Sequence, residues 1–129
     1  MSTLLIVEDE ANQRILFQEE LSEEGYKVEL ACNGKEALEK MKTALPDLIV
    51  LDMRMPVMDG MESLGKIIDQ KKNIPVIIHS AYSSYKEDFM SWAADDFVVK
   101  SSDLSELKNK IKAHLRNKEV EFLPKLPYQ

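Results

Sequence analysis

The sequence predicts an α/β fold, a doubly wound five-stranded parallel sheet with helices on both faces. Three observations carry that prediction. The apolar runs Leu48-Ile49-Val50-Leu51 and Val76-Ile77-Ile78 are continuous rather than alternating, as in strands buried on both sides. Amphipathic stretches of helical period separate the runs, so strand and helix alternate five times, which implies right-handed crossovers. The runs end in Glu8-Asp9, Asp52, His79-Ser80 and Lys100, at the carboxyl ends where open α/β sheets place their ligand crevice.

In chain order, Thr3 to Val7 is the first strand, and a helix follows from about Ala11 to Glu24, with Gly25 as its left-handed cap. Tyr26 to Ala31 alternates more and reads as an edge strand. Asn33 caps a helix over Gly34 to Thr43, with Ala37, Leu38 and Met41 inward. The Asp47 to Leu51 strand delivers Asp52. A third helix spans about Gly60 to Lys71, with Leu64, Ile67 and Ile68 on its buried side. Pro75 to His79 forms the fourth strand, where Pro is tolerated at the first position. The fourth helix, about Ser84 to Ala93, has the thinnest apolar pattern: Tyr85, Phe89 and Trp92. Phe97 to Val99 is a short fifth strand. Asp103-Leu-Ser-Glu106 has the form of a capping box, and Leu104, Leu107, Ile111 and Leu115 mark one face of the last helix. Residues 1–117 read as one domain and 118–129 as a tail or the stump of a linker, with two prolines and few core candidates.

With 129 residues, 44% hydrophobic and 31% charged, the composition is that of a globular protein with a real core. No apolar run approaches the ~20 residues of a membrane helix, and no signal peptide is visible, so a cytoplasmic location and no membrane partner are expected. The net charge of −6 argues against direct nucleic-acid binding by this segment. The single Cys32 has no internal disulfide partner and reads as a small core residue. His79 and His114 have no companions at metal-ligand spacing.

The chemistry concentrates at the strand ends. If the strand order is 2-1-3-4-5, the first and third strands are neighbours at the topological switch point, and their acids converge. Two carboxylates about 4 Å apart repel by roughly 4 kcal/mol at an effective dielectric near 20, so such a cluster calls for a cation. Oxygen-only ligands suit Mg²⁺, which keeps several waters and binds few carboxylates together with a phosphate. Lys100 offers a compact positive charge for a phosphoryl oxygen, and Ser80 a hydroxyl donor. A carboxylate is a competent nucleophile toward phosphorus, so Asp52 is the candidate phosphoacceptor.

On these residues the chain resembles the receiver domain of two-component response regulators across about residues 3 to 116. The acidic pair after the first strand is matched by Glu8 and Asp9. The segment Asp-x-x-Met-Pro-x-Met-Asp-Gly is matched in full by Asp52 to Gly60, the Ser/Thr-Ala pair by Ser80-Ala81, and the lysine by Lys100. Phe97 stands at the aromatic switch position three residues before that lysine.

The resemblance implies a flavodoxin-like sheet of order 2-1-3-4-5. It implies Mg²⁺ held by Asp9, Asp52 and the backbone carbonyl of Arg54, with Glu8 acting through water. Lys100 and Ser80 then contact the phosphate, Ser80 and Phe97 form the switch, and Arg54 and Tyr82 tune the phosphoryl lifetime. The donor is a phosphohistidine of a histidine kinase or histidine phosphotransfer protein. The only catalysis implied is of the chain's own phosphorylation and dephosphorylation. The readout face comprises the fourth helix, fifth strand and fifth helix, for a downstream protein, an output domain or a dimer.

Two departures stand out. Ser101 follows Lys100 where the family usually has a cis Pro; a cis bond to Ser costs about 3 kcal/mol, so the loop is strained or trans. Ala93-Ala94 replaces Gly-Ala. Ser101 supports an alternative, a pseudo-receiver acting as a constitutive binding module. An aspartyl phosphohydrolase wants a second acid where Arg54 stands, and nucleotide binding lacks a Gly-rich loop.

Overall fold

The structure is a computed structural model that describes residues 1–53, 65–67, 69, 73–81 and 94–121, with the backbone alone for residues 52, 53 and 118–121. Five strands, β1 (Thr3–Glu8), β2 (Lys27–Ala31), β3 (Leu48–Met53), β4 (Val76–Ser80) and β5 (Asp96–Val99), pair in parallel in the order β2-β1-β3-β4-β5. The expected order holds, with the more alternating strand β2 at an edge. The strands run further than the apolar runs: Glu8, Asp52 and Ser80 lie within the ladder rather than beyond it. Conversely β4 begins at Val76, because Pro75 has no N–H to give and instead accepts from the Ile49 amide at 2.9 Å.

Strand alternation divides the core into two. Leu5, Val7, Ile49 and Leu51 face the side of α2 (Gly34–Thr43), with Ala37, Met41, Ile78 and Phe97. Leu4, Ile6, Leu48 and Val50 face the side of α1 (Ala11–Glu23) and α3 (Ser105–Glu121), with Phe17, Leu21, Leu107 and Ile111. Helices therefore cover both faces. Gly65 to Ile67 and Asp69 are helical, and Ile67 is fully buried on the α2 side. The rest of the third helix and the whole of the fourth lie outside the described residues.

Local chemistry explains the helix ends. Gly25 takes φ +93°, and the Gly25 and Tyr26 amides reach back to the Ser22 and Leu21 carbonyls, the paired bonds of a Schellman stop. The Asn33 side chain accepts from the Glu36 amide at 2.8 Å, as expected of a cap. Glu36 in turn accepts from the Cys32 amide and thiol, so Cys32 is a half-buried turn residue and not the core residue expected; that bond holds its thiol above the usual range. The last helix starts at Ser105, later than the capping-box reading places it. The Asp103 carboxylate is engaged by the Ser105 amide and hydroxyl at 2.9 and 2.6 Å. At its far end α3 continues through Arg116 to Glu121.

Acids also tie the amino ends of the strands. Asp47 accepts from the Thr3 amide and Asp95 from the Val76 amide, each at 2.7 Å. Asp96 joins β5 to α3 through His114 Nε2 at 2.9 Å and Lys110 Nζ at 3.4 Å, so His114 has a structural partner that its sequence neighbours do not announce. Burial alone raises the Asp96 pKa, but the His114 and Phe97 hydrogen bonds and the charge of Lys110 outweigh it and hold the carboxyl below the usual range. A lowered folded-state pKa contributes stability above the unfolded value of about 4, lost as pH falls through the folded value. Asp96→Asn is accordingly expected to cost about 1 kcal/mol at neutral pH and to lose less than the parent on acidification below about pH 4, measured by urea unfolding across pH.

Candidate functional site

The carboxyl edge of the sheet gathers the groups singled out above. The parallel register sets Glu8 of β1 opposite Asp52 of β3, and Asp52 opposite His79 of β4. Met53 lies opposite Ser80, and Ser80 opposite Val99. Neighbouring strands stand about 4.8 Å apart, so the two acid-bearing positions are as close as a sheet allows.

Glu8 is 1% exposed, an unusual place for a carboxylate, and its groups are engaged on several sides. Its Oε2 lies 3.7 Å from Lys100 Nζ, while its Oε1 accepts from the Glu10 amide at 3.2 Å. Its backbone carbonyl accepts from Arg14 Nη1 at 2.8 Å. Asp9, the next residue, is exposed at the mouth of the same edge. Lys100 follows β5, and its amide donates to the Ser80 carbonyl at 2.7 Å, which fixes the start of its loop. All described peptide bonds are trans, Lys100–Ser101 among them, so the strained alternative for this loop does not arise.

Ser80 is fully buried at the end of β4, and Phe97 is 5% exposed, packed on the α2 side of the sheet. Buried His79 sits edge-on to Phe17 of α1 with ring centroids 5.5 Å apart, a packing role on the other face. Arg54 and Tyr82 lie outside the described residues, as does the side chain of Asp52. The structure thus brings together Glu8, Asp9, the backbone of Asp52, Ser80 and Lys100 at one edge. Arg14 was absent from the sequence reading; the available signal was its place one turn into α1, from which a long donor reaches back over the β1–α1 loop.

No group of three His, Cys, Asp or Glu close enough to hold a metal occurs among the described side chains, to which Asp52 does not belong. The donor chemistry nonetheless fits a hard cation. Glu8 and Asp9 are carboxylates, and a third stands in register at Asp52, so the donors are hard oxygens. A surface cavity of about 280 Å³ bordered by Thr3, Lys27, Lys40 and Leu45 lies at the opposite, amino end of the strands and is no part of this site.

Known proteins resemble this chain in sequence and fold. The family model for the response regulator receiver domain matches residues 4–112. The response regulator ArlR of Staphylococcus aureus is 37% identical over 118 residues, covering 90% of this chain and 53% of ArlR. This chain therefore spans about half the length of the curated relatives it matches. The response regulator TrrA of Thermotoga maritima, in complex with Mg²⁺–BeF, superposes with a TM-score of 0.79 at 47% identity, covering 88% of this chain and 99% of that one. TrrA in complex with the histidine kinase ThkA gives 0.79 at 48% identity, over 89% and 99%. Acid-bearing positions in register, a lysine beside Glu8 and a flavodoxin-like sheet agree with these matches: the chain belongs to the receiver-domain family of two-component response regulators.

Proposed function

We propose that this receiver is a phosphorylation-driven signalling switch in which Asp52 accepts a phosphoryl group from a phosphohistidine of a histidine kinase or histidine phosphotransfer protein. The observation that carries the reading is the register of Glu8 with Asp52, together with the Lys100 ammonium 3.7 Å from Glu8. A carboxylate oxygen of Asp52 attacks phosphorus, the P–N bond breaks, and its electron pair returns to the imidazole of the donor. Asp9, Asp52 and the Arg54 carbonyl would hold Mg²⁺, with Glu8 acting through water. When bound, that ion neutralises phosphoryl oxygen charge, the main requirement of such a transfer. Lys100 exchanges part of its attraction to Glu8 for the incoming phosphoryl group, and Ser80 donates its hydroxyl.

Two surface features support the partners. Ile15 and Leu16 of α1 are 54% and 39% exposed close to the acid edge, an apolar pair suited to a kinase helix. TrrA, the relative solved with its kinase, supports the same partner class. On the other side Ser80 pairs with Val99, and Phe97 stands two residues earlier on β5 opposite Ile78, so movement of Ser80 toward a phosphoryl group changes the environment of Phe97. Val99, 40% exposed at the sheet edge, belongs to the surface such a change reaches. The output is a population shift, and the phosphoryl group need only favour one of two packings.

Incubation with Mg²⁺ and acetyl phosphate should add one phosphoryl mass to the intact chain, abolished in Asp52→Asn and by chelation. No gain in the parent chain would instead favour the constitutive binding module. Lys100→Ala leaves buried Glu8 without its ammonium, at an expected cost of about 1–2 kcal/mol in metal-free buffer. Added Mg²⁺ should restore part of that loss, as followed by thermal unfolding.

A further inference from the structure

We propose that Arg14 is a positioning residue for the acidic pair: by donating from Nη1 to the Glu8 carbonyl, it fixes the peptide plane from which Asp9 is aimed. The inference rests on the metal reading given above. Glu8 is the last residue of β1 and pairs with Asp52, so the ladder ends at the Glu8–Asp9 peptide. Asp9 lies outside the sheet and is exposed. Its direction depends on the Glu8–Asp9 peptide plane, whose oxygen receives Arg14 at 2.8 Å. The Glu10 amide, bonded to the Glu8 carboxylate, closes the other side of this turn. Glu10 stands at the N-cap of α1 without a side-chain cap bond.

Arg14 is well placed to hold this loop. It is half-buried on α1, and its own amide bonds the Glu10 carbonyl at 3.0 Å, so backbone and side chain bracket the loop from both ends. Glu36, in the first turn of α2, is held below the usual range chiefly by its bond from Cys32, with smaller contributions from the charges of Lys40 and Arg14. A guanidinium offers several donors in a rigid plane, which a lysine does not reproduce.

Positioning and field effects have opposite signs here. As a bare charge, Arg14 repels a cation at the acid edge, and its removal tightens Mg²⁺ binding. As a support for the ligand-bearing loop, its removal weakens binding, with losses of about tenfold typical when the partner of a metal ligand is deleted. Calorimetric titration of Mg²⁺ into the full chain separates them. Arg14→Met, which keeps length without charge or donor, is expected to raise the Mg²⁺ dissociation constant about tenfold. Arg14→Lys, retaining a donor, should fall between Met and the parent. The Mg²⁺ concentration for half-maximal phosphorylation by acetyl phosphate should rise in parallel, with the rate at saturating Mg²⁺ little changed. Equal or tighter Mg²⁺ binding in Arg14→Met, or a Lys variant no better than Met, would overturn the inference while leaving the metal site intact. A parent chain that takes up no Mg²⁺ would overturn the metal reading, and this inference with it.

Discussion

Carboxylates resist being brought together, and the register of this sheet sets two acid-bearing positions side by side at its carboxyl edge. Glu8 and Asp52 occupy adjacent positions on neighbouring strands, Glu8 is buried, and Asp9 follows at the mouth. At about 4 Å, each close pair of bare charges costs roughly 4 kcal/mol at an effective dielectric near 20. Among the described residues, Lys100 brings a charge that offsets this, and it comes from far away. β5 is separated from β1 by β3 and β4, three inter-strand spacings of about 4.8 Å each, yet Lys100 Nζ stands 3.7 Å from Glu8. The Lys and Glu side chains together span the ends of the intervening strands.

That span ties the rest of the molecule to the site. The order β2-β1-β3-β4-β5 depends on two core layers that hold every strand in register, since a slip of one residue would exchange the α1 and α2 faces. The acids at the amino ends, Asp47 and Asp95, fasten Thr3 and Val76 and so set where each strand begins. The Lys100 amide bonded to Ser80 sets where β5 ends. A substitution in these ties would reach the acid edge by shifting strands, with no contact to the site itself.

Much of this was legible in the residues, for physical reasons that can be named. Leu48 to Leu51 carries apolar side chains on both faces, so a central parallel strand was readable directly; Gly25 and Asn33 marked helix ends through backbone freedom and side-chain reach. Glu8, Asp52, Ser80 and Lys100 stood out because polar groups abruptly end apolar runs. What escaped depends on pairing across the fold. Arg14 with the Glu8 carbonyl and His114 with Asp96 involve atoms that no local pattern relates, and Cys32 is drawn outward by a carboxylate one helical turn on. The Lys100–Ser101 peptide, open to two geometries in the sequence, is trans because Ser lacks the ring that makes cis inexpensive.

The central claim is that acids from separate strands share one pocket because a divalent ion belongs there. Its most direct test is an amide NMR titration of the isotopically labelled chain with Mg²⁺. The account predicts that the amides of Glu8, Asp9, Glu10, Asp52, Met53 and Lys100 shift together along one binding curve, reversed by chelation, while those at the amino ends of the strands stay in place. Shifts scattered over the acidic surface with unrelated curves, or none at these positions, would contradict it.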